Sequence, residues 1–426
     1  MDGLIQLLQA VILLGHILSN VLSLIQVIRL GNLFKGKGGL TAMDVSSFVF
    51  AGKSIFMHKP SKNLMAIPIS RPAIGEEEIR AVTEVLRSGN LAQGKKVEQF
   101  ENEFSRYVGA RFAAAVSSGT AALQIGLQAL GLGKGDEVIT TPFTFAATAN
   151  AIIHCGARPV FADIDPRTFN LDPEKIAASK KTKAVMCVHL YGQPCEMDSL
   201  KSICREADAK LVEDAAQAVG AEYKGKRIGT FGALSAFSFY ATKNLTTGEG
   251  GMIATGSKGL AEQARIIRNQ GQTEQYRHDI ISYNFRMTDI QAAIGIEQLK
   301  RVDSLNRKRI GNAKFLADSL SSVKGIETPF VPRHVKHVFH QYTLKVPKGR
   351  DKLLSYLNGH GIGARVYYPQ PVYMQPPYVK MGFGKGLCPV AEKVCGQVLS
   401  IPVHPLLKQN ELEEIVKQVK DGAAHL

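Results

Sequence analysis

Tryptophan is absent from the 426 residues, and tyrosine and phenylalanine number only 12 and 19. No aromatic residue interleaves with the densest basic stretch, Arg301 to Arg309, so the stacking platform that single-stranded nucleic acid needs is missing. Cysteine is scarce as well. Cys155, Cys187, Cys195, Cys204, Cys388 and Cys395 form no C-x-x-C pair, and no Cys/His group has zinc spacing. They read as scattered reduced thiols with no metal site, and a cytoplasmic compartment is expected. No G-x-x-x-x-G-K-[ST] phosphate loop occurs. Gly131-Leu-Gly-Lys-Gly135 follows a helical stretch and precedes a strand, the reverse of a dinucleotide fingerprint, and reads as a turn.

What is present belongs to a soluble globular protein. The hydrophobic fraction of 45% and charged fraction of 21% exclude wholesale disorder, collagen-like repeats and a polytopic membrane protein. The length suggests two or three domains. It also allows well over half of the unfolded surface to be buried without staples. Forty glycines fit an α/β chain with many tight turns. The 52 basic and 37 acidic residues leave a net charge of +15, spread along the chain. With no recognition helix in sight, that surplus suits a solvated face or anionic small molecules, and no nucleic-acid partner is expected.

The N-terminus differs from the rest. Residues 3–30 are apolar with a single charge, Arg29, yet Gln6, Gln9, His16, Asn20, Ser23 and Gln26 draw a polar stripe at about helical spacing. Asp2 stands where a signal peptide would be basic. Residues 31–64 show no period and read as linker. Three readings stand for residues 1–64: a mis-called translation start ahead of Met65, a helix lying on a membrane interface through residues 3–30, or a soluble accessory helix. Membrane association, peripheral at most, is expected only if residues 1–30 are part of the protein.

From Met65 the pattern is α/β. Helical periodicity is predicted over 76–87, 96–107, 121–130, 146–155, 173–178 and 198–207. Apolar runs of strand length cover 137–140, 159–162, 184–189, 210–213, 234–239 and 252–254. Their alternation predicts a mostly parallel sheet with helices on both faces. A long helix is predicted over 288–320, with Asp289 favouring its N-terminus. After it come a strand at 341–346 and helices at 351–359 and 411–420. The shift near 325 divides a large domain, residues 65–325, from a smaller α+β domain, residues 326–426.

Three segments carry chemistry. Ser117-Ser-Gly-Thr-Ala-Ala-Leu123 opens a helix just after an apolar run. Free backbone N–H groups there, close approach at Gly119 and the Thr120 hydroxyl make either an anion site or an ordinary cap. Val212-Glu-Asp-Ala-Ala-Gln-Ala218 ends a buried strand, where α/β sheets face their ligands. A carboxylate at Asp214 needs a cation such as a pyridinium nitrogen, unless it caps a following helix. Phe237-Ser-Phe-Tyr-Ala-Thr-Lys243 sets one lysine between an apolar strand and a glycine-rich turn, a setting for a desolvated amine capable of Schiff-base chemistry. Phosphate site, strand-end Asp and Lys, in that order, match what pyridoxal 5′-phosphate (PLP) requires of a protein.

Together with Pro68-Ile-Ser-Arg-Pro-Ala-Ile-Gly75, Asp136 to Phe145, His189-Leu-Tyr-Gly-Gln193 and Tyr283-Asn-Phe-Arg-Met-Thr-Asp289, these segments resemble the sugar-nucleotide aminotransferases of the DegT/DnrJ/StrS group, PLP enzymes of fold type I. The resemblance covers about residue 66 to the C-terminus. It implies a PLP-dependent transferase fold: a large domain with a mostly parallel central sheet flanked by helices, plus the smaller C-terminal domain. It implies transamination from an amino-acid donor, glutamate, to a nucleotide-linked keto-sugar. Lys243 would carry the cofactor and Asp214 would pair with its ring nitrogen. Gln217 would lie near its 3′-oxygen and Phe145 would stack on the ring. Gly119, Thr120 and Ser238 would hold the phosphate. Asn284 would reach it from the other subunit of a homodimer with shared sites, and Arg286 would touch substrate. The family often has His where this chain has Tyr367 and Tyr373. A related sugar dehydratase would have histidine at the lysine position, so Lys243 argues against it. A regulatory protein is the remaining alternative, unsupported by any helix-turn-helix pattern.

Overall fold

Strand and helix alternate through residues 66–426, the residues described by a computed structural model. The apolar residue 3–30 stretch and the three readings of residues 1–64 lie outside them. Helix α1 (Glu76–Ser88) starts where the Glu78 carboxylate accepts the Gly75 N–H at 2.8 Å, has glutamates through its first turn, and stops at left-handed Gly89. Helix α2 (Lys95–Val108) buries Val97, Phe100, Phe104 and Val108, a stripe at three- and four-residue spacing. The Phe100 and Phe104 rings pack against Phe237 and Phe239 with centroids 5.0–5.4 Å apart. Truncating one of these phenylalanines to alanine would cost about 3–5 kcal/mol.

The central sheet has seven strands: β1 (Phe112–Val116), β2 (Glu137–Thr140), β3 (Arg158–Phe161), β4 (Thr182–Val188), β5 (Lys210–Asp214), β6 (Leu234–Ser238) and β7 (Gly251–Thr255). Their order is β1-β7-β6-β5-β4-β2-β3. Strands β3, β2, β4, β5 and β6 pair in parallel, and β7 runs antiparallel to both its neighbours. The inner strands are buried on both faces, which is why they read as unbroken apolar runs. Helices α3 (Gly119–Ala129), α4 (Ala146–His154), α5 (Met197–Glu206) and α6 (Lys258–Arg268) connect or flank them.

The 32-residue α7 (Asp289–Leu320) is capped by Thr288, whose hydroxyl accepts the Gln291 N–H. Asp289 stands in the first turn of α7, as expected, and also serves a second helix. Its carboxylate accepts the Gly94 and Val97 N–H groups at 2.8 and 3.0 Å, so it satisfies the start of α2. A second apolar core gathers around β8 (Tyr342–Lys345), α8 (Arg350–Gly359), β9 (Val398–Ile401) and α9 (Gln409–Ala423). It also takes in Ile67 and Ala313, Leu316 and Leu320 from the end of α7.

Two local expectations change. The helix expected over 173–178 is one 3₁₀ turn, Pro173–Lys175, because Ile176 is already extended. Asp172 caps it by accepting the Glu174 N–H. Helix α6 was not expected, though Ser257 is a good N-cap and Ala261, Ala264 and Ile267 fall on one face. Among the described residues, no helix is long and apolar enough to cross a membrane.

Candidate active site

Side chains of adjacent parallel strands meet at the carboxyl edge of the sheet. Asp214 ends β5 and Ser238 ends β6, two paired strands. The chain leaving β1 enters α3 through Ser118, whose Oγ accepts the Ala121 N–H at 3.1 Å. Gly119 then sits so close to β6 that a Cβ there would lie 2.6 Å from the Ser238 Cβ and 3.0 Å from its Oγ. The N-terminus of α3 and the Ser238 hydroxyl therefore share one small space, and Thr120 is half-buried beside it. Backbone N–H groups, a helix dipole and hydroxyls facing one another form a cradle suited to a phosphate.

Asp214 is buried, with its Oδ2 accepting the Thr148 hydroxyl at 2.8 Å and its Oδ1 the Ala216 N–H at 3.1 Å. Residues 215–221 form turns rather than a helix, so the capping alternative for Asp214 falls away. Burial pushes its carboxyl above the ordinary range, against these hydrogen bonds and the charge of Lys243. Burial pushes the Lys243 amine down to about 8, with Asp214 opposing. Each group is electrostatically under-satisfied by the protein alone. A ligand that brings a ring cation to Asp214 and an aldehyde to Lys243 would relieve both.

Phe145 is 61% exposed, an unusual position for a phenylalanine, with its ring centroid 6.2 Å from that of Tyr368. It precedes α4, and Thr148 lies one turn on, so one helix start supplies both an aromatic face and the hydroxyl on Asp214. Gln217 is buried. Its Oε1 accepts the Tyr191 N–H at 2.6 Å, and its Nε2 donates to the Tyr368 hydroxyl at 3.3 Å. Burial and the nearby charge of Asp214 keep that hydroxyl protonated. Of the expected residues, Gly119, Ser238, Asp214 and Lys243 come together through these close approaches and charges.

The segment carrying Asn284 and Arg286 runs beside the approach to α3: the Ser117 N–H donates to the Phe285 carbonyl at 2.8 Å and Arg286 bridges Val116. Asn284 is exposed and its Oδ1 accepts the Arg286 N–H at 3.3 Å. The Arg286 guanidinium donates to Asn269 Oδ1. Tyr373, where the family often has His, is fully buried, with its hydroxyl on Glu392. Thr148, Tyr191 and Tyr368 were not singled out from the sequence. The only signal for Thr148 was its place one helical turn after Phe145.

A phosphate cradle, an under-satisfied strand-end carboxyl and a desolvated lysine on this mixed sheet define a PLP-dependent enzyme of fold type I. Comparison with known proteins narrows the class. The chain belongs to the DegT/DnrJ/EryC1/StrS aminotransferase family, whose profile it matches over residues 72–420. It is 41% identical to the spore coat polysaccharide biosynthesis protein SpsC of Bacillus subtilis, across 83% of this chain and 96% of that one. It is 37% identical to the GDP-perosamine synthase of Caulobacter vibrioides, across 83% and 97%. Among solved structures, the PMP form of Spr1654 from Streptococcus pneumoniae superposes with a TM-score of 0.81. That match has 30% identity and covers 85% of this chain and 98% of that one. The protein is a PLP-dependent aminotransferase.

Proposed function

We propose that this aminotransferase moves an amino group from an amino acid, glutamate by preference, to the ketone of a nucleotide-linked keto-deoxysugar for amino-sugar and polysaccharide biosynthesis. The observation that carries the site is the opposed pair of Asp214, pushed toward protonation, and Lys243, pushed toward the free amine. PLP, when bound, supplies an aldehyde that exchanges amino groups and a ring that accepts electrons. Lys243 would hold the cofactor between turnovers and, as a free amine, would move the proton between the substrate carbon and the cofactor in each half-reaction. General acid–base work of this kind is worth about 10²–10⁴ in rate. Asp214, fixed by Thr148, keeps the ring nitrogen protonated. The α3 N-terminus at Gly119, with Thr120 and Ser238, binds the phosphate. Phe145 and Gln217 would hold the ring. Arg286 assists the substrate. The surplus of 52 basic over 37 acidic residues suits a diphosphate-bearing sugar.

The working unit is a homodimer with shared sites. In support, the segment leading to Asn284 exposes Tyr276 (85%), Ile281 (104%) and Tyr283 (60%), apolar surface that a second copy would cover. The reaction takes place in the cytoplasm, which six free cysteines support.

Purified enzyme assayed with glutamate and a panel of nucleotide-linked keto-sugars will release 2-oxoglutarate and an aminated sugar detectable by mass spectrometry. No amination across the panel would overturn the substrate class. The shared site has its own test. Asn284→Ala chains will bind cofactor more weakly. Mixing them with Lys243→Ala chains will restore part of the activity, because one site of each mixed dimer keeps both residues. No recovery in verified mixed dimers would rule out sharing.

A further inference from the structure

We propose that Cys187, His189 and Cys195 form a closed structural site for a soft divalent metal ion of the zinc type. The three residues lie outside the chemistry described above, on the other side of the sheet. Cys187 pairs in register with Glu213 while Val188 pairs with Asp214, and successive strand residues face opposite ways. His189 follows β4. Cys195 returns after the turn through Leu190–Gly192.

One donor atom from each residue lies within 4.8 Å of the other two, and all three residues are buried. Zinc bonds of about 2.3 Å to sulfur and about 2.0–2.1 Å to nitrogen would draw these atoms together by about an ångström or less. Two thiolates and a divalent cation sum to zero charge, and a neutral centre can be buried where a lone ion could not.

The histidine has partners within the protein at both ring nitrogens. Its Nδ1 lies 3.1 Å from the Cys195 N–H and its Nε2 3.3 Å from Glu213 Oε2. Glu213 is itself fixed, accepting the N–H groups of Gly229, Phe231 and Gly232 at 3.0, 2.8 and 2.9 Å. A carboxylate behind the imidazole holds the proton on the far nitrogen, and metal binding through Nδ1 would exchange the Cys195 N–H hydrogen bond for a bond to the ion. The Val188 carbonyl accepts the Cys195 thiol at 3.1 Å and offers a further oxygen. With the ligands buried, that carbonyl closes the site to substrate, so the ion would be structural. The His189 N–H donates to the Asp214 carbonyl at 3.1 Å, and the Tyr191 N–H donates to Gln217. An ion here would therefore brace from behind the backbone that presents both residues to the cofactor.

The test uses the full-length, PLP-loaded protein kept reduced. After dialysis against a weak chelator, elemental analysis should find one zinc per chain. After zinc is stripped, cobalt should produce thiolate-to-metal charge-transfer absorbance. Cys187→Ser and Cys195→Ser should abolish both signals, while Cys155→Ser, a half-buried thiol elsewhere, should leave them intact. Retained zinc and a cobalt band in the wild type establish the ion, and the serine variants assign it. Absence of both signals from reduced wild type would overturn the site, as would a cobalt band surviving both serine substitutions. The wild-type measurement decides even where a serine variant fails to fold.

Discussion

Lys243→Ala will fold and will lose amino transfer by a factor of about 10⁴ or more, since it removes both the covalent anchor and the proton carrier. At pH 7 an amine held at about 8 is roughly one-tenth uncharged, against roughly three parts in ten thousand at an ordinary 10.5, so desolvation makes the nucleophile available. Borohydride will fix cofactor to the wild-type chain, visible as added mass, and will leave the variant unmodified. The same shift gives a readout independent of turnover. The lysine's folded pKa lies below its unfolded value, so between pH about 8 and about 10.5 the unfolded chain holds a proton that the folded chain has released. Cofactor-free wild type will therefore gain stability as pH rises through that window, and Lys243→Ala will lose that part of the slope. Wild-type-like turnover by the variant would end the assignment of Lys243.

The positions of Asp214 and Lys243 were legible in the sequence for a simple physical reason. Alternating strand and helix force a parallel sheet. A parallel sheet puts strand C-termini on one edge, so an Asp ending one buried run and a Lys soon after another share that edge, and the pairing of β5 with β6 makes them neighbours. Gly119 was legible as a helix start, but its contact with Ser238 was not, because that depends on β6 lying beside α3. Tyr368 reaches Gln217 across 151 positions of sequence, a separation that no local periodicity encodes. The Cys187, His189 and Cys195 cluster escaped a search for familiar zinc spacings because a strand end and a tight turn, rather than two knuckles, bring its atoms together. Asp289 was read as serving its own helix, since sequence proximity favours the near N-terminus. That reading holds, and the fold also delivers the start of α2 to it.

Asp214→Asn will keep the fold and lose about 10²–10³ in kcat, the usual worth of one preorganised electrostatic group. The amide fits the site. Thr148 Oγ1 lies 2.8 Å from Thr144 Oγ1, so it can donate there and accept the new N–H, while the side-chain oxygen keeps the Ala216 contact. What the amide cannot supply is negative charge opposite the ring nitrogen. The stability effect has the opposite sign in the cofactor-free protein. Burial raises the folded pKa of Asp214 above its unfolded value, so its ionised form is a cost that appears as pH rises through the folded pKa. At neutral pH, cofactor-free Asp214→Asn will be at least as stable as cofactor-free wild type. Added PLP will raise the melting temperature of wild type more than that of the variant, because only wild type gains a charge pair. Thermal melts with and without cofactor, together with kcat, separate the outcomes. Near-normal kcat with equal stabilisation by PLP would show that Asp214 does no more than shape the turn at Ala216.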